Sequence, residues 1–261
     1  MSKSAPAPAP AGALVGRRAL VTGGGRGIGA AIAVALGRAG ADVAIGYRQD
    51  VESAQAVATS IRALGRRVQI YPAALDDSTA LDAMASSVLA DFGSIDILVH
   101  SAGIASRGRT VVDTEEAEIE RLWRVHALAA FSLCRRILPG MRAAERGDVV
   151  MISSAATSMW APNSAPYNMA KAALEALART LAKEERNYGI RVNVVAPGLV
   201  DTEMGRRLAR AAMGAEDIHD LDPTSPFGRV CSPEEVADVV VFLVSTGYVN
   251  DQKIVVDAGT F

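Results

Sequence analysis

The sequence predicts an α/β fold, a single doubly wound domain whose seven-stranded parallel sheet carries helices on both faces. Three observations point there. The chain opens with an apolar strand, a glycine-rich turn, a helix with a small-residue face and a second strand, in RALVTGGGRGIGAAIAVALGRAGADVAIGYR. Strand and helix patterns then alternate to the C-terminus, the order that parallel strands joined by helical crossovers require. A length of 261 residues, half of them hydrophobic, suffices for one sizeable core and falls short of two.

In chain order, strands are predicted over 18–22, 42–47, 67–72, 95–101, 148–153, 191–196 and 253–257. Helices are predicted over 27–39, 51–64, 79–92, 115–144 and 164–187, each between two of these strands. A last helix begins in SPEEVADVVVFLVS, with Ser232 as N-cap, Pro233 at the first helical position and Glu235 closing a capping box. The least strand-like internal segment is 200–229, polar and carrying Arg206, Arg207 and Arg210.

Composition narrows the function. A formal net charge of −2 gives no argument for nucleic acid as a partner. Cys134 and Cys231 are far apart and lack metal-ligand spacing, so they read as buried apolar fillers, with neither a disulfide nor a metal site expected. No apolar run reaches the roughly 18 residues of a membrane span. The opening MSKSAPAPAPAGA alternates Ala and Pro without an apolar export core. Residues 1–15 are therefore expected to be a disordered tail, 16–261 the folded domain, and the cytoplasm its location.

Two motifs carry chemistry. Gly25-Arg26-Gly27-Ile28-Gly29-Ala30 fits G-x-G-x-x-A between a strand and a helix, where glycines let backbone N–H groups approach a pyrophosphate at the helix N-terminus. In YNMAK, Tyr167 and Lys171 are one helical turn apart, so phenol and ammonium share a face and the cation can stabilise a phenolate. Ser154 precedes them. Ser153, one residue away on a strand, should point to the opposite face.

With these residues the chain resembles the short-chain dehydrogenase/reductase family, from about Gly16 to the C-terminus. TGGGRGIG (Thr22 to Gly29) is similar to the family's TGxxxGxG, with Gly23, Gly27 and Gly29 at the glycine positions. HSAG (His100 to Gly103) stands where NNAG is usual, Ser154 precedes Tyr167 by the usual interval, and APGLVDT (Ala196 to Thr202) resembles the segment that reaches the nicotinamide. The resemblance implies a Rossmann-type domain in which Tyr167 protonates a carbonyl oxygen, Ser154 hydrogen-bonds that oxygen, and Lys171 lowers the phenol pKa and holds the nicotinamide ribose. It implies cofactor contacts from Gly23, Arg26, Gly27, Ile28, Gly29, Tyr47, Arg48, Leu75, Ala102, Gly103, Pro197, Gly198, Val200 and Thr202 as well as Tyr167 and Lys171. It also implies a substrate lid at about 200–229 and a homo-oligomer, a tetramer.

The cofactor expected is NADP(H). At the end of the second strand, Tyr47 and Arg48 occupy the place where NAD-selective relatives put an acid, and Arg26 lies in the glycine loop, so two guanidiniums could hold a phosphate. Arg48 could still be an ordinary solvated strand-end residue. Several positions depart from the family pattern. Ala74 replaces an adenine-contacting Asp, His100 and Ser101 replace two Asn, which should weaken a hydrogen-bonded motif, and DAG (Asp257 to Gly259) replaces DGG. His126 replaces the Asn that positions the lysine's water relay. Either it serves that relay, titrating near ~6.5, or it is a core histidine on a stripe with Ile119, Leu122, Trp123, Ala130 and Leu133.

The expected activity is NADPH-dependent reduction of a small-molecule carbonyl, reversible as alcohol oxidation. A 3-oxoacyl thioester on an acyl carrier or coenzyme A is a candidate substrate, its phosphate received by Arg206, Arg207 and Arg210, unless these form a solvated face. An NAD-dependent alcohol dehydrogenase and a non-catalytic nucleotide-binding relative are the rival readings.

Overall fold

The computed structural model describes residues 12–144 and 146–260. Seven parallel strands form one sheet in the order β3-β2-β1-β4-β5-β6-β7. They are β1 (Arg18–Thr22), β2 (Asp42–Tyr47), β3 (Val68–Pro72), β4 (Ile97–His100), β5 (Gly147–Ile152), β6 (Ile190–Pro197) and β7 (Lys253–Val256). A sheet covered on both faces buries both sides of its strands, which explains why the central ones read as continuous apolar runs: every residue of β4 and β5 is buried.

One face packs on α3 (Ser78–Phe92), α5 (Ala129–Ala143) and α7 (Ala165–Glu185), around Leu81, Val88, Leu133, Ile137, Leu174 and Leu98. The other packs on α1 (Gly27–Arg38), α2 (Val51–Ala63) and α9 (Pro233–Ser245), around Ile32, Leu36, Ile61, Val240, Ile97 and Val195. The predicted strands agree with this sheet to within two residues at each end, and the Ser232/Glu235 capping box is present.

Two expectations change, and the segment 200–229 keeps its non-strand character. The helix predicted over 115–144 is α4 (Glu116–Trp123), a π-helical turn (Arg124–Leu128) and α5, because one turn takes an extra residue; no local propensity marks such a bulge. The segment 200–229 contains α8 (Glu203–Ala212), N-capped by Thr202 through Gly205 N–H, and a 3₁₀ helix (Ile218–Thr224) with its own capping box. Of the tail expected over 1–15, Met1–Ala11 lies outside the described residues, whereas Leu14 is fully buried and donates its N–H to Ala39 O at 2.9 Å. Cys134 and Cys231 are unpaired, the first buried and the second only partly so.

The N-terminal edge of the sheet is tied by ions. Asp148 at the start of β5 pairs with Arg17 at 2.6 Å and with Arg191, the three side chains no more than 12% exposed. Both arginines also donate to backbone carbonyls, of Val244 and Asp96 for Arg17 and of Leu243 and Val249 for Arg191. Among the described residues no helix is long and apolar enough to cross a membrane.

Candidate active site

The turn after β1 is shaped by glycines that nothing larger could replace. A Cβ on Gly29 would lie 2.2 Å from Gly23 O, and one on Gly23, at φ +66°, would lie 2.9 Å from the Cα of Ala102. Gly27, at φ +54°, faces the methyl of Thr202. Arg26 is the extended N-cap of α1, and its side chain makes no capping bond, so the first N–H groups of a twelve-residue helix open toward the turn. Such a cradle fits a dinucleotide pyrophosphate.

Thr22 Oγ1 locks the neighbouring turn after β4. It accepts from Ser101 N–H and Ala102 N–H, each at 3.2 Å, and bonds His100 Nδ1 at 3.1 Å. The motif expected to weaken at HSAG is thus rebuilt with an imidazole. His100 is fully buried, its Nε2 has no hydrogen-bond partner, and burial pushes its pKa down to about 4.

His126 sits in the π turn, buried. Its Nε2 bonds the backbone of Ile104, 3.0 Å from O and 3.2 Å from N, while Nδ1 has no partner. The ring crosses that of Tyr167 edge-on, with centroids 5.6 Å apart, and touches Gly103, where a Cβ would come within 2.6 Å of Cε1. Burial, and secondly the charge of Lys171, hold its pKa well below the ordinary imidazole value. Of the two readings, the one that has His126 titrating near ~6.5 is displaced, because burial favours the neutral ring.

Ser154 follows β5, and its Oγ accepts from Ala156 N–H at 3.2 Å. Tyr167 and Lys171 project from the first two turns of α7, with the lysine Nζ 5.7 Å from the phenol ring centroid. Lys171 is 4% exposed and donates to Ile152 O at 2.7 Å. The expected lowering of the phenol pKa is reversed. Burial raises it, opposed by a hydrogen bond with Ser154, and burial brings Lys171 down to about 7.

The other residues expected to touch a cofactor line the same C-terminal edge of the sheet. Tyr47 ends β2 partly buried, Arg48 is exposed beyond it, and Leu75 packs on the core after β3. Pro197 ends β6, Gly198 N–H donates to Val256 O, and buried Val200 bridges to Cys231. Ile28, Ala102 and Gly103 are half-buried around the glycine turn. Arg26 pairs with Glu203 of α8 at 2.6 Å, and Asp50, capping α2, lies within its electrostatic reach.

Sequence reasoning missed a second polar cluster behind Ser154. The Ser153 hydroxyl, expected on the opposite face from Ser154, turns toward α7 as well, where it donates to Glu175 Oε1 at 2.6 Å, as does Thr157 at 2.7 Å, and Lys253 Nζ lies 3.1 Å from the same oxygen. Glu175 is four residues beyond Lys171, so the spacing that found the lysine could have found it. Nothing local signals Lys253, which arrives from β7.

A sheet of this order, with a glycine turn between its first strand and helix, is the architecture of a class of oxidoreductases. A family profile described as enoyl-(acyl carrier protein) reductase matches residues 23–260. The chain is 36% identical to a versicolorin reductase of Emericella nidulans over 258 residues, covering 95% of this chain and 97% of that one. It is 32% identical to a 3-oxoacyl-[acyl-carrier-protein] reductase of Escherichia coli over 251 residues, covering 94% and 98%. An angucycline C-6 ketoreductase structure with bound NADP superposes with a TM-score of 0.86 at 34% identity, covering 97% and 99%. The chain belongs to the short-chain dehydrogenase/reductase family.

Proposed function

We propose that the protein is an NADPH-dependent carbonyl reductase, reversible as an alcohol dehydrogenase. The convergence of Ser154, Tyr167 and Lys171 at the mouth of the glycine cradle carries this reading. Bound NADPH supplies the hydride. The protein's residues hold and move the proton. A phenol raised by burial stays protonated at neutral pH and serves as resident acid for the carbonyl oxygen. Ser154 donates to that oxygen as charge develops there, and the Lys171 ammonium, favoured below about pH 7, would hold the nicotinamide ribose. His126, neutral and fixed by Ile104, holds the π turn behind Tyr167 and presents Nδ1 for a water of the lysine relay.

Gly23, Gly27, Ile28 and Gly29 would bind the pyrophosphate, Leu75, Ala102 and Gly103 the adenosine half and its linkage, and Pro197, Gly198, Val200 and Thr202 the nicotinamide. Tyr47, Arg48 and Arg26 would receive the 2′-phosphate, Arg26 by leaving Glu203. The NADP-bound relative supports this choice. Replacing Arg48 with Ala should weaken NADPH by about 1.5–3 kcal/mol and leave NADH nearly unchanged. Equal losses for both cofactors, measured by fluorescence titration, would remove Arg48 from the phosphate site.

The segment 200–229 serves as a lid in this reading, over a substrate with a large apolar body. Two of the three lid arginines are already paired, Arg206 with Asp201 and Arg207 with Glu203, leaving Arg210 to receive an acyl-carrier or coenzyme A phosphate. Exposed Met204, Leu208 and Met213 on the lid, with Trp160 beyond Ser154, favour an extended apolar ketone, whether thioester-linked or free. NADPH consumption over a panel of free ketones and 3-oxoacyl thioesters tests both; no turnover on any member would count against a reductase. A single domain over 16–261, a homotetramer and a cytoplasmic location complete the proposal.

A further inference from the structure

The cluster behind Ser154 joins both halves of the site through one carboxylate. Glu175 Oε1 accepts from Ser153, the residue before Ser154, and from Thr157, whose hydroxyl also lies 2.8 Å from Ser154 O. Both chain neighbours that fix the Ser154 turn are thus anchored to α7. On α7, Glu175 is one turn beyond Lys171 on the same face. Lys253 closes the cluster, 2.7 Å from Thr157 Oγ1 and 3.1 Å from Glu175 Oε1, and the two charged side chains are only 17% and 16% exposed. At that burial a pair is screened less by water and salt than a surface pair is.

We propose that Glu175 is a positioning residue for this site: its carboxylate fixes the Ser154 turn and holds the Lys171 ammonium charged, and Lys253 limits how much of that charge reaches Lys171. The proposal rests on the reductase reading above for its catalytic consequence. The direction of the electrostatics agrees, since Glu175 is the group that opposes the burial of Lys171. The other groups around Lys171 are His100 from β4 and His126 from the π turn, both held neutral, and Tyr167, a protonated phenol. Arg179, one turn beyond Glu175, is engaged 3.7 Å from Asp251. Glu175 is therefore the charge that acts on Lys171, and Lys253 bears on it through its pairing with Glu175.

The chain has four lysines, Lys3, Lys171, Lys183 and Lys253, so lysine carbon-13 NMR of the whole protein can follow Lys171 directly, assigned by its loss in Lys171→Met. In Glu175→Gln the Lys171 ionisation should fall by on the order of one pH unit, the scale of a unit charge about one helical turn away. In Lys253→Met it should rise. A purely structural role would move neither, or both the same way, and either result would overturn the proposal. Should Glu175→Gln fail to fold, the upward shift in Lys253→Met still decides. Tyr167→Phe separates the two claims: retained turnover there would refute the reductase reading while leaving the lysine titration unmoved.

Discussion

At the residue scale, a phenol raised by burial and a lysine lowered by it would divide, in the proposed reaction, the labour expected of a single activated tyrosine. Replacing Tyr167 with Phe removes the acid and keeps the packing against His126, so turnover should fall by ~100 to 10,000-fold with cofactor affinity near normal. More than half the wild-type rate would discard Tyr167 as the acid. His126 and His100 are buried neutral, and the sign of their linkage follows. The unfolded chain binds their protons near ~6.5, whereas the folded protein resists them, so stability is complete above that pH and is lost as pH falls below it, down to about 4 for His100. His126→Asn should remove part of this acid lability, leave the acid side of the rate profile unchanged, and cost roughly 1–3 kcal/mol at neutral pH from the void and the loosened Ile104 contact. Melting curves and turnover against pH measure all three; a rate ionisation near 6.5 that vanishes in the variant would contradict the neutral histidine.

At the element scale, each glycine of the cradle works through backbone, and the clash is with atoms that cannot rotate away. Gly29→Ala would drive its Cβ into Gly23 O, so the turn must open. NADPH affinity should drop by tenfold or more, about 1.4 kcal/mol or above, while α1, packed through Ile32 and Leu36, stays folded. Unchanged affinity by fluorescence titration would show that the turn is not a phosphate cradle. The elements were legible where the signal is local: β1 and β2 start and stop as read, because apolar runs end at glycine or at polar residues. That Ser154, Tyr167 and Lys171 come together was legible too, since spacing along one helix and one strand end is a sequence property. The cluster of Glu175 with Lys253 was not, because 78 residues separate partners that only the sheet order brings together. The sign of the phenol shift was likewise hidden, as burial depends on everything packed around the ring.

At the scale of the whole molecule, the sheet has a structural edge and a chemical one. Asp148 clamps β5 to the start of β1 and to β6 at one end, and Ser154 leaves β5 at the other. Asp148→Asn would leave two arginines buried without a counter-charge, a loss of roughly 3–5 kcal/mol. Chemical denaturation should register that loss, with kcat nearly unchanged at temperatures where the variant is folded; a variant as stable as wild type would show the clamp to be incidental. The π turn between α4 and α5 links the two edges in another way. A regular helix advances about 100° per residue, so the extra residue at Arg124–Leu128 sets the rotational phase of everything after it. Removing one residue there would give an unbroken helix of ordinary appearance, yet it would turn Leu133, Ile137 and Met141 off the core and swing His126 from beneath Tyr167. The length of this segment is therefore as much a part of the site as any side chain: the helix can tolerate many substitutions, but not a lost codon.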